Sequence, residues 1–202
     1  MAVDTRAVLR TAAEELFAER GFHGTGIRDL ARACGLSTAS LYHHMGSKED
    51  LLAEIMRDCL RDLRDSARAV TRGVADPRER VRLLVRMHVE AHALRPRRTR
   101  IVDHEIHALT PLTRREVVAL RDEYERVWAE AVSDGVDAGV FTTAHPGITR
   151  IALLEMCTGV AHWYSPDGDL PLDELARHHA DLALRVLGAC SPRSAERRSK
   201  GE

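Results

Sequence analysis

Residues 25–52 have the sequence TGIRDLARACGLSTASLYHHMGSKEDLL, which predicts two short helices joined by a tight turn. Thr25 can cap the first helix, whose apolar residues fall at helical spacing: Ile27, Leu30, Ala31 and Cys34. Gly35 ends that helix, and Ser37 can cap a second one that runs to about His44. Two helices of these lengths around a glycine indicate a helix-turn-helix, whose second helix enters the major groove of DNA.

The second of these helices has one apolar and one polar side. Leu41 can point inward, while the opposite side carries short hydroxyls and hydrogen-bonding rings, namely Thr38, Ser40, Tyr42 and His43. Hydroxyls and methyls suit base edges, and Tyr and His can hydrogen-bond phosphates. The helix contains no Arg, Asn or Gln, so we expect part of the specificity to come from DNA shape or from Arg28. Helical hairpins with a glycine in the turn are common, so spacing alone leaves a purely structural role open.

Helical spacing continues through the rest of the chain. Proline-containing helix starts recur at three places, Asp76-Pro77, Thr110-Pro111 and His145-Pro146. With no strand pattern, repeat or glycine-rich phosphate loop, the sequence predicts an all-α fold. We place a three-helix, helix-turn-helix domain at residues 1–53, joined by a long helix to a larger helical domain at residues 54–190. Residues 191–202 are polar and unpatterned, which predicts a disordered tail.

Bulk charge does not indicate a nucleic-acid partner. The 202-residue chain has a formal net charge of -1, and its first fifty residues contain six Arg or Lys against seven Asp or Glu. The usual signature of a DNA-binding domain, an excess of basic residues, is therefore missing. A DNA-binding role has to rest on where particular residues are placed.

Composition also sets an expected location. No apolar stretch approaches the roughly 20 residues of a membrane-spanning helix, and the N-terminus lacks the apolar core of a signal peptide. We therefore expect the cytoplasm and no membrane partner. The four cysteines are far apart and form no CxxC pair, so we expect small buried apolar side chains rather than disulfides or metal ligands.

The residues around the hairpin resemble a known family. The runs GFHGTGIRDLA (residues 21–31) and CGLSTASLYHHMGSKEDLL (residues 34–52) are similar to the DNA-binding domain of the tetracycline-repressor (TetR/AcrR) family of transcriptional regulators. The resemblance spans most of residues 6–52 without a gap. It departs at Met45-Gly46, where the family usually has an aromatic residue followed by a polar one or proline, and this predicts weaker packing at that corner.

The resemblance implies contacts with double-stranded operator DNA. Thr25, at a helix start, is expected to bind a phosphate through its backbone N–H and hydroxyl. Thr38, Ala39 and Ser40 are expected to lie against base edges. Tyr42, His43 and Lys48 are expected to contact the DNA backbone. For Tyr42 the alternative is a half-buried packing residue.

A homodimer is expected, because one helix-turn-helix contacts only one half-site and half-sites lie about one helical turn (~34 Å) or somewhat more apart. The last two predicted helices are the best candidate surface, with six apolar positions: Ile151, Leu154, Ala161, Leu175, Leu182 and Val186. Two such helices from each subunit would form a four-helix bundle, as the resemblance also implies. The alternative is that these residues complete the core of the monomer, and both can hold.

The resemblance further implies that a small ligand binds the C-terminal domain and switches DNA binding. The candidate ligand-binding residues are His88, His92, Arg98, His104, His107, Tyr124, Trp128 and Trp163. Imidazoles four residues apart, as in His88 and His92, can chelate a metal, but polar pocket lining or solvated histidines are the commoner outcomes. We therefore predict no metal and no cofactor.

The basic run at residues 95–100 has two interpretations. It is either a solvated turn that ends a helix or an anion-binding mouth for a phosphate-bearing ligand. Residues 104–111 and 163–170 are similar to family members that govern fatty-acid or sterol catabolism through acyl-CoA ligands. A solvated turn is the usual outcome for such a charge run, and this short similarity is the observation behind the anion-binding interpretation.

Together these observations predict a repressor, with no enzymatic activity, that a small ligand such as an acyl-CoA or another aliphatic metabolite releases from a palindromic operator. One alternative is a regulator of a drug-efflux gene that binds aromatic or cationic compounds, although only 4% of residues are aromatic. Another is a metal- or acyl-binding helical enzyme with a vestigial motif, although no nucleophile–base spacing stands out. The operator, the effector and whether the ligand releases or recruits DNA stay open.

Overall fold

A computed structural model describes residues 4–189, and within that range the chain is helical with no β-strand. The all-α prediction is confirmed. A short 3₁₀ turn at Ile106–Ala108 precedes α7. The α-helices are α1 (Thr5–Gly24), α2 (Ile27–Cys34), α3 (Thr38–Met45), α4 (Lys48–Thr71), α5 (Pro77–Leu94), α6 (Pro96–His104), α7 (Pro111–Asp137), α8 (Pro146–Thr158), α9 (Val160–Trp163) and α10 (Leu172–Val186).

The described residues form two compact units. The first comprises residues 4–62 and Arg95–Asp122, and the second comprises Leu63–Leu94 and residues 123–189. Helices α4 and α7 therefore each contribute residues to both units. The predicted domain limits, 1–53 and 54–190, are drawn at the end of the DNA-binding motif. In the structure, α6 and the start of α7 belong to the same compact unit as α1–α3. The predicted tail, 191–202, lies outside the described residues.

The first unit is organised around α1. The Asp4 side chain caps this helix by accepting a hydrogen bond from the Arg6 N–H at 3.0 Å. Its buried face contacts both α2 and α6 and consists of Leu9, Ala12, Ala13, Phe17 and Phe22. Helical geometry is interrupted at Gly21, whose φ of 73° lies in the left-handed region that favours glycine. Gly21 therefore produces a kink close to the C-terminal end of α1.

The corner between α3 and α4 is well packed. Met45 is buried, and Gly46 turns the chain with φ 72°. The Ser47 hydroxyl then accepts a hydrogen bond from the Asp50 N–H at 3.0 Å, while the Asp50 carboxylate accepts one from the Ser47 N–H at 3.0 Å. These two reciprocal hydrogen bonds form a capping box at the start of α4. The weaker packing expected at Met45-Gly46 is not observed, because the flexible methionine side chain fills the corner.

The second unit packs α5 against α10, α8 and α9. The Asp76 side chain accepts a hydrogen bond from the Arg78 N–H at 3.0 Å, so the predicted cap-plus-proline start of α5 is confirmed. The helical segment that starts at Pro146 is divided at Gly159 into α8 and α9. A Cβ added to Gly135 would lie 2.1 Å from the Phe141 ring, so glycine there permits the chain to fold back after α7. Among the described helices, none is long and apolar enough to cross a membrane.

Candidate nucleic-acid interface

Helices α2 and α3 form the predicted helix-turn-helix. Gly35 ends α2 in the left-handed conformation (φ 65°), and the Leu36 N–H donates to the Ala31 carbonyl at 2.9 Å. The Ser37 hydroxyl then caps α3 by accepting a hydrogen bond from the Ser40 N–H at 3.1 Å. The predicted glycine turn and serine cap are therefore both present between α2 and α3.

Helix α3 presents the polar face that the sequence predicted. Leu41 and Met45 are buried, whereas the opposite side is solvent-accessible. Tyr42 is 51% exposed, which argues against the alternative of a packing residue. The other side chains predicted to contact DNA on this surface are Thr38, Ala39 and His43, all exposed, Ser40, partly exposed, and Arg28 of α2, exposed.

Thr25 does not belong to this surface. Its side chain is fully buried, and its hydroxyl donates to the backbone carbonyl of Gly21 at 2.9 Å or of Leu16 at 3.1 Å. Its N–H donates to the Phe22 carbonyl at 3.3 Å, and the N-cap of α2 is Gly26. The predicted helix cap at Thr25 is therefore wrong. Its hydroxyl and its N–H both donate to backbone carbonyls of α1, which leaves no donor for the predicted phosphate contact.

Lys48 is also engaged inside the unit. Its Nζ donates to the carbonyls of Phe22 and Thr25, each at 2.8 Å, and lies 4.0 Å from the centre of the Phe22 ring. Burial lowers the pKa of Lys48. Two of its three N–H groups thus hold the end of α1 and the start of α2 against the N-terminus of α4. The sequence predicted a phosphate contact and missed this structural role.

A polar depression of about 430 Å³ adjoins the C-terminal end of α3. It is lined by His43 and His44, by Arg6 of α1 and by residues of α4 that carry both signs of charge. Arg6 pairs with Glu54, and Asp58 pairs with Arg10 and Arg61. The cations here are therefore largely neutralised, in keeping with the balanced charge of the N-terminal sequence.

The predicted dimer residues fall into two groups. Ile151, Leu182 and Val186 are 51%, 44% and 52% exposed, and Leu154 is partly exposed. Ala161 and Leu175 are buried in the core of the second unit, so they are not available at a surface, and that part of the prediction is wrong. Their helices are amphipathic, and helical spacing alone did not separate the inward positions from the outward ones.

Four of the predicted ligand-binding residues meet in the core of the second unit. His88 and His92 of α5 stack with ring centroids 3.9 Å apart, and Tyr124 and Trp128 of α7 lie beside His88. His88 Nδ1 is 2.5 Å from the Tyr124 hydroxyl, and His88 Nε2 is 3.0 Å from the Thr158 hydroxyl. We call His88, His92, Tyr124, Trp128 and Thr158 the core polar cluster. The sequence did not single out Thr158.

The other predicted ligand-binding residues lie elsewhere. Trp163 is 57% exposed and stacks on His179, outside the core polar cluster. Arg98, His104 and His107 belong to the first unit, where both histidines are exposed. Among the described residues, no group of three or more His, Cys, Asp or Glu side chains is arranged to hold a metal ion.

The basic run at residues 95–100 is largely paired within the first unit. Arg98 is 2.9 Å from Asp62 and 4.0 Å from Glu14, and its side chain is only 12% exposed. Arg95 also pairs with Asp62, at 3.3 Å, and Arg97 pairs with Glu15 at 3.1 Å. Acids of α1 and α4 therefore already pair with these three arginines, and the anion-binding mouth stays a prediction.

The buried histidines make folding stability depend on pH. Burial holds the pKa of His88 well below its ordinary value and lowers the pKa of His92 to about 4. An unfolded chain has ordinary histidines with a pKa of about 6.5, so below that pH it binds protons that the folded chain does not. The free energy of unfolding should therefore be highest above pH 6.5 and fall as the pH drops toward 4, by roughly 3 kcal/mol for His92 alone.

Urea unfolding at several pH values between 7.5 and 4.5 measures this dependence. The matched variant is His92→Gln, which keeps a donor for the His88 carbonyl that His92 Nδ1 contacts at 2.8 Å but has no proton to titrate. Its stability should fall less steeply with decreasing pH. Equal slopes for the variant and the natural chain would show that His92 is not responsible.

A helix-turn-helix with an exposed polar second helix, in a chain whose second helical unit has a few polar groups in an apolar core, defines a DNA-binding regulator. Comparison with protein families agrees. Residues 9–55 match the family described as bacterial regulatory proteins, tetR family, and residues 74–187 match the tetracyclin repressor-like C-terminal domain. The chain belongs to the TetR family of transcriptional regulators.

Individual relatives cover nearly the whole chain. The HTH-type transcriptional repressor KstR2 of Rhodococcus jostii is 31% identical over 186 residues, which span 91% of each chain. The TetR-family regulator PfmR of Thermus thermophilus is 35% identical with a TM-score of 0.79, over 88% of this chain and 97% of that one. AibR in complex with isovaleryl coenzyme A and operator DNA is 26% identical with a TM-score of 0.80, over 93% of this chain and 100% of that one.

Proposed function

We propose that this chain is a repressor that binds a near-palindromic operator as a homodimer and is released by a small aliphatic effector. The observation that carries the proposal is the division of α3 into a buried apolar side and an exposed polar side. Such a helix can be held rigidly by its unit while it places short side chains in the major groove. A repressor of this kind acts on chromosomal DNA, so we place it in the cytoplasm, and no catalytic step is part of the proposal.

The DNA contacts divide into two kinds. Thr38, Ala39 and Ser40 face base edges, where hydroxyls hydrogen-bond and the alanine methyl can contact thymine. Tyr42 and His43 contact phosphates and fix the register of the protein on the duplex. Arg28 is exposed at the beginning of α2, which supports its expected contribution to specificity. Thr25 is left out because it is buried, and Lys48 contributes mainly by holding the unit together.

A second copy of the chain supplies the helix-turn-helix that binds the second half-site of the operator. Helices α8 and α10 leave apolar side chains exposed at i,i+3 and i,i+4 spacing, namely Ile148, Ile151, Leu182 and Val186. Exposed leucine, isoleucine and valine side chains repeated along one face of a helix favour association with another protein surface. A second copy of the chain provides the same stripes, and two helices from each copy can form a four-helix bundle.

The effector is proposed to bind the second unit at the core polar cluster. AibR, to which this chain is similar, forms a complex with isovaleryl coenzyme A. An acyl-CoA or another aliphatic metabolite suits a helical core that combines many apolar side chains with a few polar groups. With Arg95, Arg97 and Arg98 already paired, we do not assign the phosphates of such a ligand to this basic run.

Tyr42→Phe tests the proposed DNA contact. The substitution removes one exposed hydroxyl, and a lost hydrogen bond to a charged phosphate should weaken operator binding by about tenfold, equivalent to about 1.4 kcal/mol. The melting temperature should not change, because Tyr42 is half exposed and its ring remains in the variant. Fluorescence anisotropy with a labelled operator measures the affinity.

Tyr164→Phe is the matched control, since it removes a phenol hydroxyl outside the helix-turn-helix. It should bind the operator with the affinity of the natural chain. If Tyr42→Phe binds equally well, Tyr42 makes no phosphate contact and the proposed orientation of α3 on DNA has to be revised.

A further inference from the structure

Within the described part of the chain, the indole N–H of Trp128 has no hydrogen-bond partner. Trp128 is fully buried in the second unit, and among the side-chain atoms of the described residues its Nε1 is one of the few buried atoms left unsatisfied. A buried donor without an acceptor costs about 1–3 kcal/mol. A ligand atom that accepts a hydrogen bond from this N–H therefore removes that cost, which an acceptor placed elsewhere in the core would not do.

No acceptor of the described residues contacts that N–H. The His88 ring lies edge-on to Trp128, with centroids 5.6 Å apart, and both of its nitrogens contact hydroxyls, of Tyr124 and of Thr158. His92 Nδ1 donates to the His88 carbonyl at 2.8 Å. The packing around Trp128 thus holds His88 in place, and the indole N–H stays unpaired among the described residues.

The lack of charge in the core polar cluster restricts which ligand groups can bind Trp128. Burial keeps the imidazoles of His88 and His92 neutral near pH 7, because it lowers the pKa of each. The hydrogen-bonding residues of the cluster include no Arg or Lys. A carboxylate or phosphate brought against Trp128 would be a buried charge without a counter-charge, which is far more costly than the hydrogen bond is favourable. A protonated amine cannot accept from the indole, which is a donor only.

We propose that the Nε1–H of Trp128 is the specificity-determining donor of the effector site and binds an uncharged carbonyl oxygen of an otherwise apolar ligand. This inference rests on the proposed function, since it assigns the ligand class of the same unit. A ketone and a thioester offer the same carbonyl chemistry. Because Trp128 is enclosed, side chains between α5 and α7 have to move before the oxygen reaches it, so ligand entry is linked to packing around His88 and Tyr124.

Nuclear magnetic resonance of the indole N–H groups tests this directly on the full chain. The sequence contains two tryptophans, so a ¹⁵N-labelled sample gives two indole signals, which the Trp163→Phe variant assigns. The probes are four molecules of similar size: 2-heptanone, S-ethyl pentanethioate, hexanoate and heptylamine. The ketone and the thioester should move the Trp128 signal downfield in a saturable way, and each should bind at least about tenfold more tightly than hexanoate, equivalent to about 1.4 kcal/mol.

Two results would overturn the proposal: a Trp128 signal that none of the probes moves, and one that hexanoate moves as strongly as the ketone does. A shift with 2-heptanone alone would support a ketone, and a shift with both carbonyl probes would support the shared chemistry. Trp128→Phe should lose the preference for carbonyl probes in a thermal-shift assay. If that variant does not fold, the indole N–H signals of the natural chain are the test of the proposal.

Operator binding is measured on the same preparation. If the chain binds its operator but no probe moves Trp128, only the donor role fails and the repressor function stands. If the chain binds no DNA sequence selectively, the proposed function fails, whatever the indole signals show.

Discussion

Leu182→Glu is expected to convert the dimer to a monomer and to lower operator affinity at least about 100-fold. Leu182 is 44% exposed on α10, so the isolated chain tolerates a charge there, whereas a dimer would have to bury it without a partner. Linking two weak half-site contacts raises overall affinity by about 10²–10⁴, and a monomer loses that gain. The balanced charge of the N-terminal sequence makes each half-site contact weak, so the loss is large.

Analytical ultracentrifugation gives the mass of the variant in solution, and a mobility-shift titration gives its affinity. Leu112→Glu is the matched control, because Leu112 is 64% exposed at the start of α7, in the first unit. It should remain dimeric and bind the operator normally. A dimeric Leu182→Glu protein with full affinity would mean that α10 is not the dimer surface.

Lys48→Ala is expected to lower the free energy of unfolding of the first unit by about 2–3 kcal/mol. The natural ammonium donates to two backbone carbonyls, those of Phe22 and Thr25, and hydrogen bonds of charged groups contribute about 1.5–3 kcal/mol each when they are well formed. Lys48 is partly exposed, which reduces that contribution, and its position over the Phe22 ring adds roughly 0.5–1 kcal/mol. Without it, the ends of α1 and α2 lose their connection to α4.

Chemical denaturation of Lys48→Ala and of the control Arg115→Ala separates this effect from a loss of bulk charge. Arg115 is exposed in the same unit, and its replacement should change stability little. Operator affinity of Lys48→Ala should fall together with its stability and recover partly on cooling. Normal stability with a lost operator affinity would instead assign Lys48 to phosphate binding.

Local signals in the sequence were enough to predict the helix-turn-helix and most helix starts. Gly35 and Ser37 define the turn, Ser47 and Asp50 form the capping box, and Pro77 follows its cap at the start of α5. Each of these depends on residues within a few positions of one another. Side-chain spacing also placed the polar face of α3 outside, because one buried stripe leaves the opposite side exposed.

Contacts between distant residues could not be predicted in the same way. Lys48 reaches the carbonyls of Phe22 and Thr25, which lie more than twenty residues away along the chain. The arginines at residues 95–98 meet Glu14, Glu15 and Asp62, which are 33 or more residues away along the chain. Helical spacing likewise did not distinguish Ala161 and Leu175, which are buried, from Leu182 and Val186, which are exposed.

Selection from a random pool of double-stranded DNA is the most direct measurement of the central claim. We predict enrichment of one near-palindromic sequence with two half-sites about one helical turn (~34 Å) apart or somewhat more, bound by the dimer with an affinity that falls steeply as salt rises. A pool that shows no enriched sequence after repeated rounds, with a folded and dimeric protein, would contradict the assignment of this chain as an operator-binding repressor.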